Sequence, residues 1–366
     1  MTALAEASLH QQRVGSELGR ALDQGPSHAY LFRGPSGSGK AKVARAFAAG
    51  ILAAGSSDPE EVRRRVLMDP SPHPDLIWLS PKGMSHAVRE IRDRVIHQAP
   101  LSPFEGAARV FVIEAAETMN EESQNAMLKT LEEPPPHAHL ILLSAESEGV
   151  LPTIASRCQP IEFAALGSDV IEAELEGLAD PEALHAVARL SAGDLDRARF
   201  LAGRRGSELR EATGKLMAAA LEDDFTDSPW LDLLGQAKSA GDHSGDRVQA
   251  EFDGEKEEGI KHTKAEIEEA VRRARRKTRT GMLDLGLHLA AVWARDWAAV
   301  ASGAPTLAFN SDRLDVLERQ ASGLDLSQAR QAVSQIQETR RSFQLNVSEE
   351  LALEALAFRL EQTLRT

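Results

Sequence analysis

Cysteine, aromatic rings and net positive charge are all scarce in this chain. The one cysteine, Cys158, excludes an intramolecular disulfide and any metal site built from several cysteines. Aromatic residues make up 4%, which gives little support for base stacking as a main mode of nucleic-acid binding. Lys and Arg number 42 against 56 Asp and Glu, a formal charge of -14, so the chain does not by itself suit a grip on a phosphate backbone. Contact with DNA is expected to be local or shared with partners. No apolar run approaches the roughly 20 residues that span a bilayer. The first residues, with Glu6 and His10, lack the basic start of a signal peptide, so a cytoplasmic protein without a membrane association is expected.

With 366 residues, 42% hydrophobic and 27% charged, the chain is long enough for a sizeable core and two or three domains. Residues 10–24 read as a helix with Val14, Leu18, Ala21 and Leu22 on one side, stopped by Gly25-Pro26. A short apolar strand, 29–32, runs directly into Gly34-Pro35-Ser36-Gly37-Ser38-Gly39-Lys40, and a helical stretch, 43–52, follows. Strand, glycine loop and helix is the context that a phosphate-binding loop requires. Backbone amides of Gly34, Ser36, Gly37, Ser38 and Gly39 converge on phosphate oxygens, the helix N-terminus adds positive potential, and Lys40 reaches the terminal phosphates. The residue after the lysine is Ala41, where the motif calls for a Ser or Thr hydroxyl on magnesium. Alanine supplies no oxygen, so magnesium is expected to be weakly held or absent. The residues leave open whether ATP or ADP is bound without efficient turnover or the loop holds no nucleotide.

Residues 75–79, 139–143 and 161–163 read as further strands, and 87–96 as a helix with Arg89, Arg92 and Arg94 outward. Val110-Phe111-Val112-Ile113 has the uninterrupted apolar character of a strand buried on both faces of a parallel sheet. It ends in Glu114-Ala115-Ala116-Glu117. Between Gln124 and Pro136 runs Gln-Asn-Ala-Met-Leu-Lys-Thr-Leu-Glu-Glu-Pro-Pro-Pro. Ala126, Leu128 and Leu131, led by Met119, predict a helix packed on the sheet with Lys129, Glu132 and Glu133 in water, stopped by the prolines.

The Leu-Lys-Thr-Leu-Glu-Glu-Pro-Pro run closely resembles the helix that follows the Walker B strand in the AAA+ clamp-loader ATPases of bacterial DNA polymerase III. The resemblance extends to residues 28–32, to the phosphate loop, to Ser156-Arg157-Cys158 and to residues 346–356, and so covers most of the chain. It implies an α/β P-loop domain with a parallel sheet over 1–164, a helical lid over 165–206 and an all-α collar domain over 207–366.

Departures from the family pattern point to its delta-prime branch rather than to the motor subunits. An active family ATPase carries an aspartate-glutamate pair at 114–115, whereas here Glu114 remains near the metal position and Ala115 replaces the carboxylate that activates water. Ser144-Ala145-Glu146 stands at a degenerate sensor position and is given no role. In Gly193-Asp194-Leu195-Asp196-Arg197-Ala198, Asp196 holds the place of the second sensor arginine. By contrast, Arg157 is intact, and the family places it in the neighbouring subunit's nucleotide site as an arginine finger. Relatives commonly carry a cysteine-ligated zinc module within 56–74; no cysteine lies there, so no zinc site is expected, and His73 reads as a solvated turn residue. The partners implied are motor (gamma/tau-type) and delta-type subunits, with the sliding clamp and primed DNA engaged through the assembly. Two other readings remain: an active ATPase with Glu114 or Glu117 as a relocated catalytic carboxylate, and a pure scaffold.

The chain beyond Phe163 reads as helix alone. Residues 236–261 form a polar, glycine-containing segment with an acidic block, expected to be mobile. The basic cluster Arg272, Arg273, Arg275, Arg276, Lys277 and Arg279 reads first as a solvated helix balanced by acids and second as a DNA- or partner-facing patch. Trp293 and Trp297, four residues apart, are assigned to helix packing. Cys158 reads as a small buried hydrophobe, since no His partner is patterned near it.

Overall fold

A computed structural model describes residues 2–81, 85–145, 149–222, 224–257, 263–343 and 347–365. The chain divides into two compact units: residues 1–167 with 193–195, and residues 168–192 with 196–366.

The first unit is built on five parallel strands: β1 (Ala29–Arg33), β2 (Leu76–Leu79), β3 (Arg109–Ile113), β4 (Ala138–Ser144) and β5 (Gln159–Glu162). Their order is β2-β3-β4-β1-β5. β1 is therefore an interior strand next to the edge strand β5, paired through Phe32 with Leu143 of β4 on one side and Ile161 of β5 on the other. Alternate side chains of each strand enter opposite layers. Tyr30, Phe32, Val110, Val112, Ile141 and Leu143 pack with Val43 and Phe47 of the helix Lys40–Ala53 and with Leu18 of the helix Gln12–Gln24. Leu31, Phe111, Ile113, Leu140 and Leu142 pack on the other face with Met127 and Leu131 of the helix Glu121–Glu132, together with Ile154 and Cys158. Val110–Ile113 of β3 are all buried, as the apolar run predicts, and so is Arg109 ahead of them.

In Glu121–Glu132 the buried side chains are Ser123, Gln124, Met127 and Leu131. The core stripe therefore runs one residue away from the expected Ala126 and Leu128, and Leu128 packs only at its flank. Lys129, Glu132 and Glu133 face water. The charged stretch after the first core helix, assigned no element from sequence, contains the helix Pro59–Leu67. Asp58 caps it by accepting from Glu61 N at 3.1 Å, Glu60 and Glu61 lie in its first turn and Arg64 and Arg65 in its last. His73 is not solvated: its ring is buried, and its Nδ1 accepts from Asp75 N at 3.2 Å. Burial holds its pKa below the ordinary histidine value, assisted by Arg65 and opposed by Glu105 and Asp75.

Every element of the second unit among the described residues is a helix or helical turn. The helix Pro181–Leu190 and the later chain belong to this one unit. Arg189 ties them together, donating to Ala308 O at 2.7 Å and Leu307 O at 3.0 Å and lying over the Phe309 ring at 4.7 Å.

The polar segment expected to be mobile from 236 is helical up to its described end, inside the helix Trp230–Glu257; residues 258–261 lie outside the described residues. Two of its glycines, Gly241 and Gly245, serve close helix packing. A Cβ at Gly241 would stand 2.8 Å from Arg275 O, and one at Gly245 2.5 Å from Arg275 Cγ, on the helix Lys264–Ala301. Arg275 reaches Asp246 at 3.3 Å and Asp242 at 3.7 Å, Arg279 reaches Glu349 at 2.7 Å, and Arg272 and Arg273 both pair with Glu269. These pairs accord with a basic cluster balanced by acids. Trp293 and Trp297 each donate from Nε1 to Gln320 Oε1 at 3.0 Å within the helical core.

Candidate functional site

The carboxyl ends of parallel strands are where open α/β sheets hold their ligands, and the phosphate-loop residues follow the carboxyl end of β1. β1 feeds the loop carrying Gly34, Ser36, Gly37, Ser38 and Gly39, with Lys40 opening the helix behind it. Ser36 is exposed and Ser38 buried. Lys40 Nζ donates to Gly34 O and to Pro35 O, both at 2.6 Å, and lies 3.4 Å from Ser38 Oγ. Its ammonium is thus folded onto carbonyls of its own loop. Burial keeps the Lys40 pKa below that of a free lysine, against the opposing charges of Glu117 and Asp194.

Asp194 is the residue that sequence reasoning missed here. A Cβ built on Gly37 would lie 1.9 Å from Asp194 Oδ1 and 2.7 Å from its Cα, so the carboxylate rests directly against the loop at a glycine with φ of +66°. Asp194 is buried and belongs to the same unit as the loop. Asp196, assigned to this neighbourhood from the alignment of motifs, instead has a largely exposed side chain 3.8 Å from Arg199. The sequence signal for Asp194 was its place two residues earlier, directly ahead of the helix Leu195–Ala202. Gln11 was also missed. Its amide donates to Ser38 O at 3.2 Å and Ala164 O at 2.8 Å, tying the phosphate loop to the chain leaving β5.

The positions where magnesium would be held offer a poor donor set. Ala41 is exposed and has no oxygen to give. It shares a cavity of about 580 Å³ with Lys42, Arg45, Trp78, Ser80 and Glu114. Glu114 Oε2 accepts from Ser80 Oγ at 2.5 Å. Ala115, at the position of the water-activating carboxylate, has left-handed backbone angles of φ 48° and ψ 49°, with its carbonyl accepting from Thr118 N and Thr118 Oγ1, each at 2.8 Å. Ala41 and Ala115 thus offer no side-chain oxygen, while Glu114 keeps a carboxylate in the cavity beside Ala41. Glu117 Oε1 accepts from Ala145 N at 3.2 Å, while its buried Oε2 has no partner among the described residues. Within the degenerate sensor segment, Ser144 is buried at the end of β4 and Glu146 lies outside the described residues.

Arg157 sits away from these groups in the chain, after the short helix Pro152–Ala155. Its Nη1 donates to Thr153 O at 2.9 Å and its Nη2 to Glu132 Oε1 at 2.6 Å, with about a third of the side chain (35%) exposed. Gln124 fixes the loop leading to this helix: it donates to Met119 O at 2.9 Å and Gly149 O at 3.0 Å, and accepts from Leu151 N at 2.7 Å. Cys158, next to Arg157, is buried in the core, and desolvation pushes its pKa up to about 12 despite the opposing charge of Arg33. A thiol held in that form is not a nucleophile at neutral pH. Among the described residues, no helix is long and apolar enough to cross a membrane.

A family described as DNA polymerase III, delta subunit, matches residues 10–167. The DNA polymerase III subunit delta′ of Pseudomonas aeruginosa is 34% identical over 60% of this chain and 68% of its own length. The gamma/tau subunit of Mycobacterium tuberculosis is 30% identical over 62% of this chain, a match that spans 39% of that longer protein. A gamma subunit-related protein of Thermotoga maritima aligns in structure over 96% of this chain and 99% of its own, with 16% identity and a TM-score of 0.46. On the delta′ match, the chain belongs to the delta′ family of DNA polymerase III clamp-loader subunits.

Proposed function

We propose that this chain serves in a DNA polymerase III clamp loader as a subunit that does not turn over ATP itself and supplies Arg157 to the nucleotide site of a neighbouring motor subunit of the gamma/tau type. A delta-type subunit completes the assembly. ATP-driven rearrangement of the ring opens a sliding clamp and places it on primed DNA. The observation that carries this reading is an asymmetry: Ala41 and Ala115 lack the side-chain oxygens that cis hydrolysis needs, whereas the Arg157 guanidinium is retained and partly exposed on a braced loop. A guanidinium delivered from outside stabilises the charge that develops on a transferring phosphoryl group, an effect of roughly 10³ to 10⁵ in rate.

The test is clamp- and DNA-stimulated ATP hydrolysis by the reconstituted loader, with wild-type chain or Arg157→Ala at equal assembly. A collapse of turnover, with the isolated chain inert, supports trans action. Unchanged turnover would sink the arginine role. One observation favours a second reading, an ATPase in its own right: the buried Glu117 Oε2, without a partner among the described residues, on a carboxylate whose charge acts on Lys40. Steady-state turnover by the isolated chain, abolished by Lys40→Ala and by Glu117→Gln, would establish that alternative.

A further inference from the structure

We infer that Asp194 is a built-in counter-anion that keeps the phosphate loop closed to nucleotide. The inference deepens the reading of this chain as a non-hydrolysing subunit and rests on it. Loss of magnesium and water ligands explains poor hydrolysis, yet it leaves intact the glycine loop and lysine that bind phosphate, and these alone would still attract ATP or ADP. Asp194 addresses that remaining affinity. Its carboxylate lies so close to Gly37 that a single added methyl carbon would overlap it, and it is buried, so water screens its charge poorly. The chain after it is fastened to the same glycine, since Leu195 N donates to Gly37 O at 3.4 Å. Lys40 is under the Coulombic influence of Asp194 while its Nζ is spent on Gly34 O and Pro35 O. The loop's fixed cation therefore already answers a fixed anion. An incoming triphosphate would meet a carboxylate beside the amides meant for it, and like charges in a partly dehydrated site repel strongly.

The contact has a structural role as well, because Asp194 stands directly ahead of the helix Leu195–Ala202. Asn retains the shape and capping ability of Asp and removes only the charge, so Asp194→Asn separates the two roles. The experiment is equilibrium binding of a fluorescent ATP analogue to the full-length chain, with unlabelled ATP and ADP as competitors. The variants are wild type, Asp194→Asn, and Asp194→Asn combined with Lys40→Ala. The expected result is weak binding by wild type, at least tenfold tighter binding by Asp194→Asn, and loss of that gain in the double variant. Equal affinity of wild type and Asp194→Asn, whether tight or negligible, would overturn the inference. So would a gain that persists without Lys40, since the nucleotide would then be bound elsewhere. Circular dichroism checks folding; should Asp194→Asn unfold, Asp194→Ser, also a good cap, carries the same comparison. The arginine role is read separately from Arg157→Ala turnover, so either idea can fail while the other stands.

Discussion

Arg157 Nη2 donates to Glu132 Oε1 at 2.6 Å, and Glu132 is the last residue of the helix Glu121–Glu132. An acid at a helix C-terminus faces the negative end of the macrodipole, an arrangement that costs about 0.3–1 kcal/mol when exposed. Arg157 offsets that cost in the free chain. It follows that the guanidinium proposed to act on a neighbour's phosphate starts out held by a carboxylate of its own subunit. Both groups are substantially exposed, so the pair itself contributes no more than about 1 kcal/mol to stability.

This predicts a separation of effects. Arg157→Ala and Glu132→Gln should each shift unfolding free energy by less than about 1 kcal/mol. Only Arg157→Ala should abolish most of the turnover of the reconstituted loader, by a factor on the order of 10³. Urea titrations alongside ATPase assays check both arms. A turnover loss for Glu132→Gln as large as that for Arg157→Ala would make the ion pair, rather than the free guanidinium, the functional element.

Gln124 gives a second prediction. It is buried and bonds to Met119 O, Gly149 O and Leu151 N, so replacing it with Leu leaves all three backbone groups without that partner. Unsatisfied buried groups cost about 1–3 kcal/mol each, and partial relaxation brings the expected loss to roughly 2–4 kcal/mol. Because the same bonds hold the chain leading to Pro152–Ala155, loader turnover should fall although Arg157 is untouched. Wild-type stability in Gln124→Leu would show that the amide does not brace this loop.

The legibility of the fold differed between the two units for physical reasons. The strands around Leu31, Phe111 and Leu142 are apolar throughout because both faces of the sheet are covered, and such runs are visible without any partner information. The loop at Gly34–Lys40 was equally visible, since its chemistry is local. Asp194 was not, because what matters is its approach to Gly37 across 157 positions of sequence, a tertiary relationship that no spacing reports. Gln124 was hidden for the opposite reason, sitting inside a well-matched motif where the apolar stripe drew the attention. The helix Trp230–Glu257 is not legible from composition because two of its glycines, Gly241 and Gly245, ordinarily breakers, are contact points for Arg275.

The paired indoles supply a third prediction. Gln320 Oε1 accepts from both Trp293 Nε1 and Trp297 Nε1, and both rings are buried. Gln320→Leu would leave two indole donors unmatched in the helical core, for an expected loss of about 2–4 kcal/mol. Gln320→Glu keeps the acceptor and should lose markedly less. Urea unfolding followed by tryptophan fluorescence distinguishes them, and equal destabilisation by Leu and Glu would argue for packing rather than acceptance as the role of this side chain.

The last prediction concerns acid. Burial pushes His288 down to about 4, with Arg197 and Arg340 adding to the effect and Asp284 and the Leu190 backbone opposing it. Its unfolded pKa is near 6.5, so the folded chain holds the ring neutral over a range in which the unfolded chain binds a proton. The contribution to stability is therefore fully present above about pH 6.5, falls as pH drops through the window to about 4, and is lost below it. A shift of this size corresponds to about 3 kcal/mol at most, and partial exposure of the ring brings the expected change to roughly 2 kcal/mol. His288→Phe removes the titrating group. Unfolding free energies measured between pH 7.5 and 4.5 should therefore fall more steeply for wild type than for the variant, with the two slopes converging above pH 6.5. Parallel curves across the whole range would assign the acid sensitivity of this chain to groups other than His288.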